Sequence, residues 1–232
     1  MVKPPRVTIV IPIYNEEAIL RTAVAGLLDG LKDVTYTYEI LLAENGSKDR
    51  TVEIANELSA RFPNIGTFSA SEPNYGKALR EGIGHARGEI IICDEIDLCD
   101  TDFYERALEI LFRDEADFVV GSKVMEGSND ERPPFRRFGT KVINGMLRVS
   151  LGFKGTDTHG LKAFRKREVQ PFVDACVVDK DLFASELVIR SERGGVRMRE
   201  IPVRILEKRP PSIGLTKRVP AVLKHLARLI YA

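Results

Sequence analysis

Apolar and polar positions alternate in blocks along the first half of the chain. Residues 7–13 (VTIVIPI) form an apolar, β-branched run that ends in Tyr14-Asn15, which predicts a buried strand and a turn. Residues 17–31 then place Ile19, Leu20, Ala23, Val24, Leu27 and Leu31 at the i, i+3/i+4 spacing of an amphipathic helix. A second strand is expected at 39–43 (EILLA), followed by Glu44-Asn45-Gly46-Ser47. Asp49 is placed to cap a helix that turns Val52, Ile54, Ala55 and Leu58 to the core. A weaker strand at 65–69, a helix at 76–86 despite Gly82 and Gly84, and a strand at 89–93 complete the pattern.

The order βαβαβαβ predicts an α/β, Rossmann-like, mostly parallel sheet with helices on both faces. Such sheets bind ligands in the crevice outside the carboxyl ends of their strands. Three polar clusters fall there: Asn15-Glu16-Glu17, Glu44 to Ser47, and the acids Asp94, Glu95, Asp97 and Asp100. Neither GxGxxG nor GxxxxGK[ST] follows the first strand, which argues against a dinucleotide fold or a P-loop. The second half reads as a strand at 118–122, a long loop at about 125–134, a helix at about 135–151, a strand at 160–164, a helix at 181–193 and a strand at 196–204. The tail, 216–232, has the pattern expected of a basic amphipathic helix.

A chain of 232 residues supports one sizeable core. The net charge of +1 provides no field to recruit nucleic acid, although basic residues outnumber acids from Arg132 onward. Three cysteines without a CxxC pair argue against a disulfide framework or a structural zinc site and suit a reducing compartment. With no signal peptide and no run approaching a spanning helix, a cytoplasmic location is expected. The tail helix would suit a membrane surface, the sheet or a dimer interface equally well.

Carboxylates at a strand end suit a hard divalent cation, Mg²⁺ or Mn²⁺, which takes one or two from protein and completes its shell with substrate phosphates. On an extended segment Glu95 and Asp97, at i and i+2, would face one ion together. Asp100 reads better as the cap of the next helix. After the long loop, Arg132, Arg136, Arg137 and Lys141 could cradle a phosphate or form a solvated helix face.

Several blocks carry a resemblance. VTIVIPIYNEE (7–17), ENGSKDRT (44–51), NYGKAL (74–79) and the acids of the 90s match, in order, the landmarks of family-2 glycosyltransferases with the GT-A fold. GSK (121–123), RRFGTKVIN (136–144), TDTHGLKAFRKREV (156–169) and SELVIRSERGGVRMREIPV (185–203) narrow it to the dolichyl- or polyprenyl-phosphate mannose or glucose synthases. The resemblance covers nearly the whole chain. It implies a glycosyltransferase domain over 1–215, with a nucleotide-sugar half to about 123 and an acceptor half from 124, followed by the tail helix. The chain departs from the family in carrying Glu44-Asn45 where two Asp are usual, and in its Asp-x-Asp, whose register leaves Glu95 or Asp94 as the partner of Asp97. Cys99 occupies a position where some synthases place a metal-binding Gln.

The resemblance implies an inverting transfer of mannose or glucose from a GDP- or UDP-hexose to a dolichyl or polyprenyl phosphate, with the cation stabilising the leaving diphosphate. Pro12, Tyr14, Asn15, Glu16, Glu44 and Asn45 would line the nucleotide. Lys77, Asp94 and Arg209 would complete the donor site, and Arg136 and Arg137 would act on the reacting phosphates. Arg132, Lys141, Asp157, Lys162 and Glu186 would serve the acceptor. Asp157 as a turn residue and Glu186 as the partner of a buried arginine are the rival readings. A lipid phosphate, largely dianionic at neutral pH, needs no general base, whereas a sugar hydroxyl does. Transfer to a hydroxyl, or a non-catalytic nucleotide-sugar-binding subunit suggested by the altered acids, are the alternatives. Peripheral contact with the cytoplasmic membrane face through the tail would bring a lipid acceptor within reach.

Overall fold

The computed structural model describes residues 4–70, 72–130, 142, 145–146, 148–149, 152–179 and 182–205. Strands β1 (Val7–Ile13), β2 (Tyr38–Glu44), β3 (Ile65–Ser69) and β4 (Ile90–Cys93) alternate with helices α1 (Leu20–Gly30), α2 (Thr51–Arg61) and α3 (Tyr75–His85). Next come α4 (Thr101–Phe112), β5 (Phe118–Ser122), β6 (Asn129–Asp130), β7 (Lys162–Arg165), α5 (Lys166–Ala175), α6 (Phe183–Arg193), β8 (Met198–Pro202) and β9 (Arg204–Ile205). The main sheet has seven strands in the order β3-β2-β1-β4-β7-β5-β8, and β6 and β9 form a separate parallel pair. Only β7 runs against its neighbours, β4 and β5. The start of β7 therefore lies at the same edge as the ends of β1, β2, β4 and β5, with Lys162 level with Cys93 and Val120.

The period of two along each strand splits the core between the faces. Ile9, Ile11, Ile90, Ile92 and Val119 pack with residues of α1, α2 and α4 on one face. Val10, Ile91, Phe118, Val120 and Phe164 pack with α3, α5 and α6 on the other. Gly82 explains how a glycine serves inside α3. A Cβ there would lie 2.4 Å from Val10 Cγ1, so its absence lets the helix settle on β1.

The expected strands at 65–69 and 118–122 coincide with β3 and β5, and the other first-half elements agree to within a few residues at their ends. Val52, expected in the core, is exposed on the outer side of α2. Asp49 does serve the start of α2, its Oδ1 accepting from Thr51 N–H at 3.0 Å. Of the helix expected at 135–151, residues 142, 145–146 and 148–149 are described and helical. The tail helix lies outside the described residues, and among those described no helix is long and apolar enough to cross a membrane.

Candidate active site

Two turns at the carboxyl edge are sewn to each other. Asn15, in the left-handed region at φ 54°, donates its N–H to Ser47 Oγ (3.0 Å) and accepts from Lys48 N–H through Oδ1 (2.9 Å). Asparagine tolerates this conformation better than most side-chain-bearing residues. Glu16 N–H reaches Thr51 Oγ1 at 2.7 Å, and Glu17 accepts from Arg50 N–H at 3.0 Å. Pro12 lies level with Ala43 in the strands below. Tyr14 stands above this clasp with 36% of its surface exposed, the only large aromatic of the turn open to a ligand among the described residues.

Glu44 and Asn45, expected to face a nucleotide, are buried and engaged within the protein. Glu44 accepts from Ser47 N–H and from the Ser69 hydroxyl. Burial works to raise its pKa, and the hydrogen bonds from Ser47 and Ser69 outweigh it, leaving the carboxyl below its usual range. Asn45 Oδ1 accepts from Asn74 N–H, tying the end of β2 to the start of α3. Asn74 in turn caps α3, accepting from Lys77 N–H at 3.1 Å. Lys77, the third residue of α3, is half-buried.

The acids after β4 separate into two groups. Asp94 is 2% exposed. Its Oδ1 accepts from Glu95 N–H (2.6 Å), and its Oδ2 accepts from Asp100 N–H (3.1 Å) and the Tyr104 hydroxyl. Burial pushes its carboxyl up to about 7 against the pull of these donors. Glu95 and Asp97 face outward, but not as members of an extended segment. Leu98 N–H donates to Glu95 O (2.9 Å), closing a turn. Ile96, 4% exposed, anchors that turn in the core and leaves its two flanking acids on the solvent side. Among the described residues the Asp97 carboxylate meets no hydrogen-bond or ion-pair partner. Asp100 caps α4, accepting from Phe103 N–H at 3.0 Å. Cys99 turns its thiol to Ile96 O (3.5 Å).

Two lysines lie at the same edge, one just past β5 and one at the start of β7. Lys123, just past β5, places Nζ 3.2 Å from Asp157 Oδ2, a pair whose side chains are 10% and 0% exposed. Lys123 and the His159 N–H hold the Asp157 carboxyl below its ordinary range although burial works the other way. Lys162, 3% exposed, donates to Gly160 O at 2.6 Å. Burial brings its ammonium down to about 8, against the attraction of Asp157 and Glu95. Gly160 permits this loop: a Cβ there would lie 1.7 Å from Gly121 O. Thr156 and Asp157 are held from behind by Glu200, which accepts from both backbone N–H groups.

Glu186 takes its rival reading. It is 1% exposed, accepts from Val177 and Val178 N–H, and pairs with Arg190 Nε at 2.7 Å, so it organises the 176–179 loop. Arg132, Arg136, Arg137, Lys141 and Arg209 lie outside the described residues.

Tyr75 and Lys123 went unnoticed among the sequence candidates. Tyr75, the first residue of α3, is 37% exposed. Burial first, then the charges of Glu95, Cys93, Asp94 and Asp97, hold its pKa well above the ordinary value, as expected of a phenol beside these acids. Lys123 was legible as the lysine of Gly-Ser-Lys at a strand end. No group of three His, Cys, Asp or Glu side chains among the described residues could hold a metal unaided. Two outward carboxylates in a negative field nonetheless fit a hard cation that shares its shell with substrate phosphate.

Comparison with known proteins agrees with this geometry. The family model described as glycosyl transferase family 2 matches residues 8–170. Glycosyltransferase AglD of Haloferax volcanii is 28% identical over 85% of this chain and 32% of its own length. Dolichyl-phosphate beta-glucosyltransferase ALG5A of Trichomonas vaginalis is 28% identical over 84% of this chain and 64% of its own. An undecaprenyl-phosphate 4-deoxy-4-formamido-L-arabinose transferase of Photorhabdus laumondii is 29% identical over 71% of this chain and 50% of its own. The chain thus spans between about a third and two thirds of these relatives.

Two solved structures share the fold. Glucosyl-3-phosphoglycerate synthase from Mycobacterium tuberculosis, in complex with Mn²⁺, UDP and glucosyl-3-phosphoglycerate, superposes with a TM-score of 0.65 at 15% identity, covering 97% of this chain and 78% of that one. Mannosyltransferase PcManGT from Pyrobaculum calidifontis, with GDP-mannose and Mn²⁺, gives 0.62 at 20% identity over 99% of this chain and 65% of that one. The sheet order, the acids beyond β4 and the family match lead to one assignment: the chain has the GT-A fold and belongs to glycosyl transferase family 2.

Proposed function

We propose that the protein transfers a hexose, mannose or glucose, with inversion from a nucleotide-diphosphate sugar to a polyprenyl phosphate. The observation that carries this reading is the placement of opposite charges along one sheet edge. Glu95 and Asp97 lie outward beyond β4; Lys162, at the start of the neighbouring β7, feels the charge of Glu95, and Lys123 lies just past β5. Acids on one side suit a cation-bound diphosphate, and buried cations on the other suit a second phosphate. The dolichyl-phosphate and undecaprenyl-phosphate transferases among the relatives support a lipid-phosphate acceptor.

Glu95 and Asp97 would hold Mg²⁺ or Mn²⁺, which when bound acts as a Lewis acid for the leaving diphosphate. Tyr14 offers a face to the base, while the clasp of Asn15 with Ser47 and Lys48 fixes the wall below it. Glu44 and Asn45 set the shape of that wall from within. Lys77, at the start of α3, would meet the donor phosphates. The acceptor phosphate is already an anion, so no side chain has to remove a proton. Its cradle comprises Lys162, Lys123 through its pair with Asp157, and the basic residues Arg132, Arg136, Arg137 and Lys141. Arg209 joins the donor diphosphate. Contact with the cytoplasmic face of a membrane would bring the lipid to this edge, and the basic tail is the segment suited to make it.

The reading is tested by incubating GDP- and UDP-linked mannose and glucose with a short-chain polyprenyl phosphate, with Mn²⁺ or with EDTA, for the wild type and Asp97→Ala. Transfer that requires Mn²⁺ and falls by at least about a hundredfold in Asp97→Ala is expected, a loss of about 3 kcal/mol in transition-state stabilisation. Transfer untouched by both EDTA and the substitution would refute the metal role. Donor binding without turnover would favour a non-catalytic subunit.

A further inference from the structure

Asp94 precedes the outward pair Glu95 and Asp97 in the turn between β4 and α4, and the geometry shows what this additional acid does. Asp94 continues the strand, its N–H donating to Val10 O at 3.1 Å, and its side chain then folds back beneath the turn it begins. One oxygen takes the N–H of Glu95 and the other the N–H of Asp100, so a single carboxylate holds both ends of the turn. Tyr104, 1% exposed on α4, donates its hydroxyl to the same oxygen as Asp100. The turn is not a relaxed one. Cys99 adopts φ +47°, a left-handed conformation that a side-chain-bearing residue enters at a cost. Something must hold it there, and the Asp94 carboxylate is the group that does so from inside.

We infer that Asp94 and Tyr104 are a positioning pair: Tyr104 fixes the Asp94 carboxylate, which fixes the turn that presents Glu95 and Asp97 to the cation. This rests on the reading that those two acids hold the metal. It assigns Asp94 a role distinct from ligation, because each of its oxygens is spent on a donor of the protein and the group is shut off from solvent. It also separates the acids of the stretch DEIDLCD by task. Asp94 shapes the turn, Glu95 and Asp97 bind, and Asp100 starts α4. Removing a group that orients metal-binding side chains commonly changes metal affinity by about 10–100-fold.

The test is Mn²⁺ affinity, measured by electron paramagnetic resonance titration with UDP or GDP as co-ligand, for the wild type, Tyr104→Phe and Asp97→Ala. Tyr104→Phe deletes one hydroxyl without opening a cavity and leaves both proposed ligands in place. Its Mn²⁺ affinity is expected to fall about tenfold, with near-ultraviolet dichroism unchanged at the temperature of the assay. Unchanged or tighter Mn²⁺ binding in Tyr104→Phe would overturn the positioning role, and tighter binding would mean that a released Asp94 had itself become a ligand. A wild type that binds no Mn²⁺ beyond the level of Asp97→Ala would overturn the metal reading and this inference with it. Should Tyr104→Phe not fold, Cys99→Gly reads the same linkage from the other side. Glycine removes the left-handed strain, so Mn²⁺ affinity is expected to hold or improve, and a tenfold loss would overturn the inference.

Discussion

Replacing Lys162 by Met should make the protein more stable and less active. The buried ammonium of Lys162 has its pKa brought from 10.5 to about 8, a penalty on the charged form of roughly 3 kcal/mol at neutral pH. Methionine fits the same slot without the charge. It forfeits the hydrogen bond to Gly160 O, leaving that carbonyl to find another donor at a cost of about 1–2 kcal/mol. Asp157 retains Lys123 at 3.2 Å, so no buried carboxylate is orphaned. The balance is a gain of about 1–2 kcal/mol, or about 2–8 °C in Tm for a chain of this size. The sign of the pH dependence follows from the same displacement. Between about 8 and 10.5 the unfolded chain binds more protons at this lysine than the folded one, so wild-type stability rises through that window. Urea unfolding of both proteins in EDTA, at pH 7 and pH 9.5, should show the wild type recovering about 2 kcal/mol relative to the variant. Transfer to polyprenyl phosphate should fall at least about tenfold, equivalent to about 1.4 kcal/mol. A variant less stable at pH 7, or a stability gap indifferent to pH, would refute the reasoning.

Other perturbations separate the scaffold from the site. Glu39, at the opposite edge of the sheet, accepts from the Thr8 hydroxyl, the Arg87 N–H and the Arg87 guanidinium. Although its burial works to raise the pKa, those bonds with Arg87 and Thr8 leave it lowered, so its contribution is present above about pH 4.5 and lost as pH falls. Glu39→Ala should cost about 2 kcal/mol in urea unfolding at pH 7 and less at pH 3, with donor KM unchanged; an equal cost at both pH values would contradict it. Gly82→Ala should destabilise by about 1–3 kcal/mol, because the new methyl group meets Val10 Cγ1 at 2.4 Å, and Val10→Ala in the same chain should restore part of the loss. Tyr14→Ala should raise donor KM about tenfold with Tm unchanged, as the loss of about 1–3 kcal/mol of base stacking would do; an unaltered KM would remove Tyr14 from the base site.

β1 and β4 were legible because each is a run of β-branched residues too short for a helix and closed by a turn signal, and β2 because its short apolar run ends in Glu44-Asn45-Gly46-Ser47. The reversal of β7 was not, since Lys162 to Arg165 gives four residues and no direction. Helix α5 was missed because its sequence, KREVQPFVDA, contains Pro171 and buries only Val169 and Val173, too thin an apolar stripe to stand out. At the site, the location of the acids followed from the topology of parallel sheets. Their division of labour did not, because it depends on Tyr104, ten residues beyond Asp94, and on Ile96 turning inward. Glu186 shows the same limit in reverse: its position suggested acceptor binding, but Arg190 one turn away and two backbone N–H groups of the preceding loop occupy it. Long-range partners of buried polar groups leave little trace in a one-dimensional pattern.

The central claim is that an anionic lipid phosphate is the nucleophile. It is tested most directly by single-turnover transfer from the donor that supports activity, offered in parallel a short-chain polyprenyl phosphate, the corresponding polyprenol and a free hexose, with the product anomer assigned by proton NMR. Transfer to the phosphate alone, with inversion at the anomeric carbon, is expected. Transfer to the polyprenol or the hexose in preference to the phosphate, or retention of configuration, would contradict it.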